Sequence, residues 1–288
     1  MMARWPRDPD AVNQTMPDVA ELIIYPIKSL DGVSLPEVSL TAEGSLQGDR
    51  QYALVDAQGK RVNGKRHAQI HRLRAQFDPQ LRQVQLWGEG QAGQFDLQQE
   101  RDPLQRWLSN WFGFPIHLLE EPVRGFPDDP YASGPTLISA STLEVVANWF
   151  PGLTPEEMRQ RFRMNIELSE CLPFWEDHLF AQADQGVRFR IGEVELLGIN
   201  PCARCIVPTR DPISGAAYLS FQKHFVAQRQ KTLPEWAELS RFDHFYRLGL
   251  NTWIPRTEAG KRLKVGDPVE FIGIEPLSAY PELSRSSQ

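Results

Sequence analysis

Through the first hundred residues, short β-rich runs follow one another at close spacing, and each is cut by a glycine or an Asn/Asp turn before it grows long. Ala20 to Ile27, Glu37 to Thr41, Gln51 to Val55, His71 to Phe77 and Gln83 to Trp87 are the runs. Gly32, Gly44 and Gly48 lie around the early ones, and Gly88, Gly90 and Gly93 mark loops. Asp56-Ala57-Gln58-Gly59 and Asn63-Gly64 have the chemistry of hairpin turns. Short strands at such spacing predict a sheet curled into a sandwich or a barrel.

Helices enter later. Asp102-Pro103 supplies an N-cap and a first-turn proline, and Leu104, Trp107, Leu108 and Trp111 then share one face, a packing stripe that Gly113 ends. Residues 120–133 hold three prolines, one glycine and four acids and read as a connection between two halves. Ser141-Thr142-Leu143-Glu144 reads as a capping box for a helix to Phe150, and Thr154-Pro155-Glu156-Glu157 as a second, continuing through Phe162. Met164 to Leu168 predicts a strand. Val187 to Ile191 and Val194 to Ile199 predict a hairpin around Gly192-Glu193. Phe221 to Arg229 predicts a helix, and Leu263 to Ile274 a turn and closing strand. The expected class is mostly β with a few helices (α+β). The expected division is a polar tail (1–18), an N-terminal β-barrel-like module (19–122), a second β-barrel domain (123–275) and a C-terminal tail (276–288).

A net charge of -6 argues against a nucleic-acid partner, because no basic surplus exists to neutralise phosphates. Lys60-Arg61, Lys65-Arg66, Arg72 and Arg74 form a local basic cluster that reads as a solvated strand face. No apolar run approaches the ~20 residues a bilayer requires, and Met1 to Asp18 has no apolar core for a signal peptide or anchor. Three cysteines cannot build a disulfide framework and suit a reducing compartment. The expectation is a soluble, cytoplasmic protein with no membrane partner.

The chemistry is expected in residues 194–215. A strand-like run ends at Asn200-Pro201, and Cys202-Ala203-Arg204-Cys205 follows before the turn at Thr209-Arg210-Asp211-Pro212. A cysteine beside a fixed positive charge is biased toward thiolate, which binds metals and attacks electrophiles. A zinc site needs two more ligands. Cys171 is the one other cysteine, and His67 and His71, in what reads as strand, stand roughly 13 Å apart. A thioredoxin-type pair should open a helix, which Ile206-Val207-Pro208 does poorly. Two inert buried thiols remain an equal reading. Lys28-Ser29, Arg50 after Gly48-Asp49, and Arg163-Met164-Asn165 offer phosphate-holding groups, and Phe174-Trp175-Glu176-Asp177 offers two acids among aromatics.

Taken in order, these motifs resemble one family. Leu22 to Ser29, Gly48-Asp49-Arg50 and Leu54-Val55-Asp56 look like the N-terminal β-barrel module of MOSC-domain proteins. Ser139-x-Ser141, Phe162-Arg163-Met164-Asn165, Phe174-x-Glu176-Asp177, Pro201 to Cys205, Asp211-Pro212 with Gly215, and Lys264 to Asp267 look like the MOSC domain. The chain is similar to the mitochondrial amidoxime reducing component and its bacterial counterparts. That resemblance implies a molybdenum cofactor: molybdenum on a pterin dithiolene, with Cys205 as the protein thiolate and Cys202 as its unligated neighbour. It implies cofactor contacts from Lys28, Ser29, Arg50, Ser141, Arg163, Asn165, Arg204 and Asn251. Asp177, beside Glu176 and His178, is the expected proton relay. The implied reaction is two-electron reduction of N-hydroxylated compounds (amidoximes, hydroxylamines, N-hydroxylated base analogues). The alternative is a carrier of the cofactor or of sulfane sulfur. Three cysteines cannot hold an iron–sulfur cluster by four thiolates, so electrons are expected from a separate reductase or ferredoxin-type protein. Met164, Pro208 and Leu179 stand where relatives usually carry proline, threonine and tryptophan, a departure that concerns the substrate pocket.

Overall fold

The computed structural model describes residues 16–169 and 171–285, so most of the polar tail and the last three residues lie outside the described residues. The first half contains β1 (Val19–Ile24), β2 (Val33–Leu35), β3 (Glu37–Ser39), β4 (Tyr52–Asp56), β5 (Arg74–Phe77), β6 (Gln83–Gly88), β7 (Gln91–Asp96), α1 (Arg101–Phe112) and β8 (Ile116–Glu120). The second contains β9 (Leu137–Ser139), α2 (Ala140–Asn148), α3 (Pro155–Phe162), β10 (Ile166–Leu168), β11 (Gln185–Ile191) and β12 (Val194–Ala203). It continues through α4 (Phe221–Lys231), β13 (Arg247–Trp253), β14 (Arg262–Lys264), β15 (Val269–Pro276) and α5 (Pro281–Arg285). Strands predominate, and the class is mostly β with helices added, as expected.

Eight strands pair in the order β15-β11-β12-β13-β9-β10-β1-β2. Only β9 and β10 run parallel. At the other end of this order the start of β1 returns to β15. Val19 N–H donates to Asp267 O at 2.9 Å and Val269 N–H to Pro17 O at 2.9 Å, around an Asp18–Pro268 bridge. Seven strands therefore wrap into a barrel, with one face of each strand inside. Leu22, Ile24, Leu137, Ile166, Leu168, Phe189, Leu196 and Leu250 fill it, all buried. The first strand among the described residues is thus a stave of the barrel built by the second half.

The rest of the first half has its own core. The β5-β6-β7 meander and the β4–β8 pair enclose Leu54, Val84, Leu86 and Ile116, and α1 adds Leu104, Leu108 and Trp111. Gly113, at φ 79°, ends α1 as a left-handed cap. On the barrel's outside, Phe150 just past α2, Phe162 of α3, and Phe221 and Phe225 of α4 form an aromatic layer. Phe150 stacks on Phe221 with ring centroids 4.2 Å apart.

Local differences have local causes. The Thr154 capping box forms as read. The Ser141 box does not: α2 starts at Ala140, and Ser139 at its N-cap gives its hydroxyl to Glu176 at 2.8 Å rather than to the helix. Residues 68–72 form a 3-10 turn and not strand, so the strand spacing assumed for His67 and His71 does not apply. β7 runs through Gly93, where glycine suggested loop, and β13, for which no sequence pattern predicted an element, runs through Gly249. Gly249 takes φ 73°, and a Cβ there would lie 2.3 Å from the Met164 Cε.

Candidate functional site

A cleft of about 1040 Å³ separates the small module from the barrel. Eleven lysines and arginines and six carboxylates line it, a surplus of positive charge in a chain whose net charge is -6. Such a cavity focuses positive potential and draws anions. Of the residues implied by the resemblance, it gathers Lys28, Ser29, Arg50, Arg163, Arg204, Cys205 and Asn251.

Turns, rather than regular elements, aim the cations. Beyond β1 the chain bends through Tyr25-Pro26-Ile27, held by Lys28 N–H on Tyr52 O at 2.8 Å. Ser29 (φ 74°), Arg50 (48°) and Arg163 (54°) are three of the seven non-glycine residues with left-handed backbone among the described residues, and all three face the cleft. Each such conformation costs on the order of 1 kcal/mol or more. Strain gathered on three cleft residues marks a site. Arg163 takes this conformation as the C-cap of α3, which sets its guanidinium 4.0 Å from the Tyr25 ring centre and its Nη2 on Leu30 O at 2.6 Å.

Lys28 Nζ donates to Phe126 O at 2.8 Å and Pro127 O at 3.2 Å, and meets Asp128 Oδ1 at 2.7 Å. Asp128 Oδ2 also lies 3.9 Å from Arg50 Nε. Burial lowers the Lys28 pKa, partly offset by Asp128. For Asp128, whose side chain stays largely exposed, desolvation by the cleft walls is outweighed by Arg50 and Lys28, which hold its carboxyl well below the usual range. The connecting segment thus lays a carboxylate across the two cations best suited to phosphate. No motif marked Asp128 beforehand; its signal is only the acidic composition of residues 120–133.

The two thiols differ. Cys202, at the end of β12, is buried and donates its S–H to Asn251 Oδ1 at 2.9 Å. Burial raises its pKa to about 11 despite Arg204 nearby, so it stays a thiol. Cys205 is half-buried, lines the cleft, and accepts the Val207 N–H at 3.5 Å. Arg204 is anchored on Phe162 O and, at 3.6 Å, on the Met164 sulfur.

Three expected site residues do not line the cleft. Asn165 is wholly buried behind it as a clamp between the halves. Its Nδ2 donates to Ile23 O (2.9 Å) and Asp49 Oδ1 (3.2 Å), while its Oδ1 accepts from Thr136 and, at 3.4 Å, from Arg50. Ser141 Oγ is occupied by Cys171 O at 2.8 Å. Asp177 requires a correction. It is buried, pairs with Arg229, and belongs to a polar knot in which Glu176 accepts from Ser139 and Thr142. A carboxylate so enclosed has no path to a reacting group in the cleft, and no relay role is left for it. His71, which the sequence offered only as a doubtful zinc ligand, does line the cleft.

The MOSC N-terminal beta barrel domain matches residues 16–109 and the MOSC domain residues 136–270. The chain belongs to the MOSC-domain proteins that carry the N-terminal barrel module. It is similar to the molybdenum cofactor sulfurase of Drosophila grimshawi, 26% identical in an alignment 223 residues long that covers 67% of this chain and 28% of that protein. The chain therefore spans little more than a quarter of that relative. Among solved structures, the YUAD protein from Bacillus subtilis is 12% identical, covering 92% of this chain and 98% of its own, with a TM-score of 0.36. That likeness is too distant to carry an argument.

Proposed function

We propose that this chain binds the molybdenum cofactor and uses it to reduce N-hydroxylated compounds. The observation that carries the reading is Cys205, a sulfur on the wall of a cationic cleft whose other wall holds Lys28, Ser29 and Arg50. Among the described residues no three of His, Cys, Asp and Glu are grouped for a metal. A metal here would arrive with most of its ligands, as part of a larger anionic group. The cleft fits such a group: Cys205 would give one soft thiolate, and Lys28, Ser29, Arg50 and Arg163 would hold its phosphate and pterin. When bound, the cofactor supplies the two-electron chemistry that cleaves an N–O bond. The chain binds and orients the substrate, excludes water and keeps Cys202 protonated beside Asn251. The overall change is amidoxime plus two electrons and two protons to amidine plus water. A cytoplasmic location, a separate reductase or ferredoxin-type donor and a small N-hydroxylated substrate belong to the same proposal. Among the described residues, no helix is long and apolar enough to cross a membrane.

The relative's description as a molybdenum cofactor sulfurase supports a second reading, in which the chain carries the cofactor or a sulfane sulfur on Cys205 without turnover. Metal analysis of the purified protein, then turnover of benzamidoxime with an artificial reductant, separates the two. Bound molybdenum without turnover favours the carrier. A Cys205→Ala protein that keeps molybdenum and full activity defeats the assignment of Cys205.

A further inference from the structure

The cleft holds more positive charge than Lys28, Arg50 and the backbone near them account for. Where the small module meets residues 205–217, Arg210 and Arg163 each donate one side-chain hydrogen bond, to Gly215 O at 3.3 Å and Leu30 O at 2.6 Å. A guanidinium has five N–H donors, and among the described residues neither has a carboxylate within ion-pair distance. His71 lies against the same seam. A Cβ on Gly64 would sit 3.0 Å from its Nε2 and 3.2 Å from Val207 Cγ2. Burial, then Arg163, then Arg210 depress its pKa to about 4, so the imidazole is neutral. Asp211, the adjacent acid, is committed to the turn amides of Ile213 and Ser214 and to the Ser214 hydroxyl. The seam is also fixed in place. Gly215, at φ 73°, packs so close that a Cβ would come 2.6 Å from Ala68 O, and Arg161, 3% exposed, donates to the Arg210 and Pro208 carbonyls.

We propose that Arg210 and His71 form a subsite for an oxyanion on the substrate, so the N-hydroxylated compounds this chain takes best carry a carboxylate or phosphate group. Arg210 supplies the guanidinium and His71 a ring nitrogen, beside Arg163, which the cofactor takes up. The proposal rests on the reductase reading for the rest of the substrate. It is tested on the cofactor-loaded full chain by calorimetric titration with benzamidoxime, its 4-carboxy analogue and its 4-phosphate analogue. At least one anionic analogue is expected to bind about tenfold or more tighter than the neutral parent, as one charge-assisted contact provides. Arg210→Gln should bring that ratio near one with the neutral compound unmoved, and Arg210→Lys should keep part of it, with melting curves showing both variants folded. Equal binding of all three compounds, no binding of any, or a preference that survives Arg210→Gln overturns the subsite. Turnover is read separately: an anion preference without reduction retains the subsite and removes the reductase reading, and reduction without preference does the reverse.

Discussion

Replacing Asp128 by asparagine should make the cleft bind small phosphates more tightly. The carboxylate lies 2.7 Å from Lys28 Nζ and 3.9 Å from Arg50 Nε, so an incoming phosphate competes with it for both cations. At an effective dielectric of 20, the nearer contact alone amounts to about 6 kcal/mol. The Asp128 side chain is 63% exposed, however, and solvent screening cuts an exposed pair to about 1 kcal/mol. Asp128→Asn should therefore gain about five-fold to tenfold in affinity for pyrophosphate. Titration calorimetry on protein prepared without cofactor at low salt measures it, and the gain should shrink as salt screens the competing charges. Asp129→Asn is the control, because Asp129 spends its carboxylate on the Tyr131 and Ala132 amides. An Asp128→Asn protein with unchanged affinity, or an equal gain from Asp129→Asn, would refute the competition.

Asp177→Asn should leave Arg229, fully buried, without its counter-charge and cost about 3–5 kcal/mol, read as a lower denaturant midpoint. Gly198→Ala should be more damaging than its one methyl implies, since the Cβ would stand 1.8 Å from Leu179 O on the barrel wall; a melting temperature near the parent's would count against that packing. Burial, then Asp177, raises Glu176 to about 7, so the folded state holds a proton that the unfolded chain releases near 4.5. This contribution is present below pH 4.5 and is lost as pH rises to 7, so Glu176→Gln should flatten the decline in unfolding free energy over that window.

Much of the cleft was readable because its contributors sit in short, chemically marked segments. Lys28-Ser29, Arg163, Arg204 and Cys205 each follow a strand or helix end, and Arg50 sits in the turn just before β4, where turns present side chains and backbone amides together. What escaped reading depends on distant partners. Glu176 and Asp177 look like a general acid pair until Ser139, Thr142 and Arg229 close around them, and those residues are 34 to 52 positions away. β13 received no assignment from the sequence, and the φ of 73° at Gly249 is what lets the strand pass Met164. His71 was judged by strand spacing, while its position follows from a 3-10 turn that no local pattern announces.

The strand that begins the described chain meets Leu168 on one side and Asp267 on the other. During synthesis it can therefore pair early only with β2, through Leu22, Ile23 and Ile24, and its Leu168 edge and the end that meets Asp267 must wait until residues 166–269 have emerged. Cutting the chain at the connecting segment would leave one fragment with a β1–β2 pair lacking its barrel neighbours and the other with a gap in its wall. The two fragments should regain structure only when mixed.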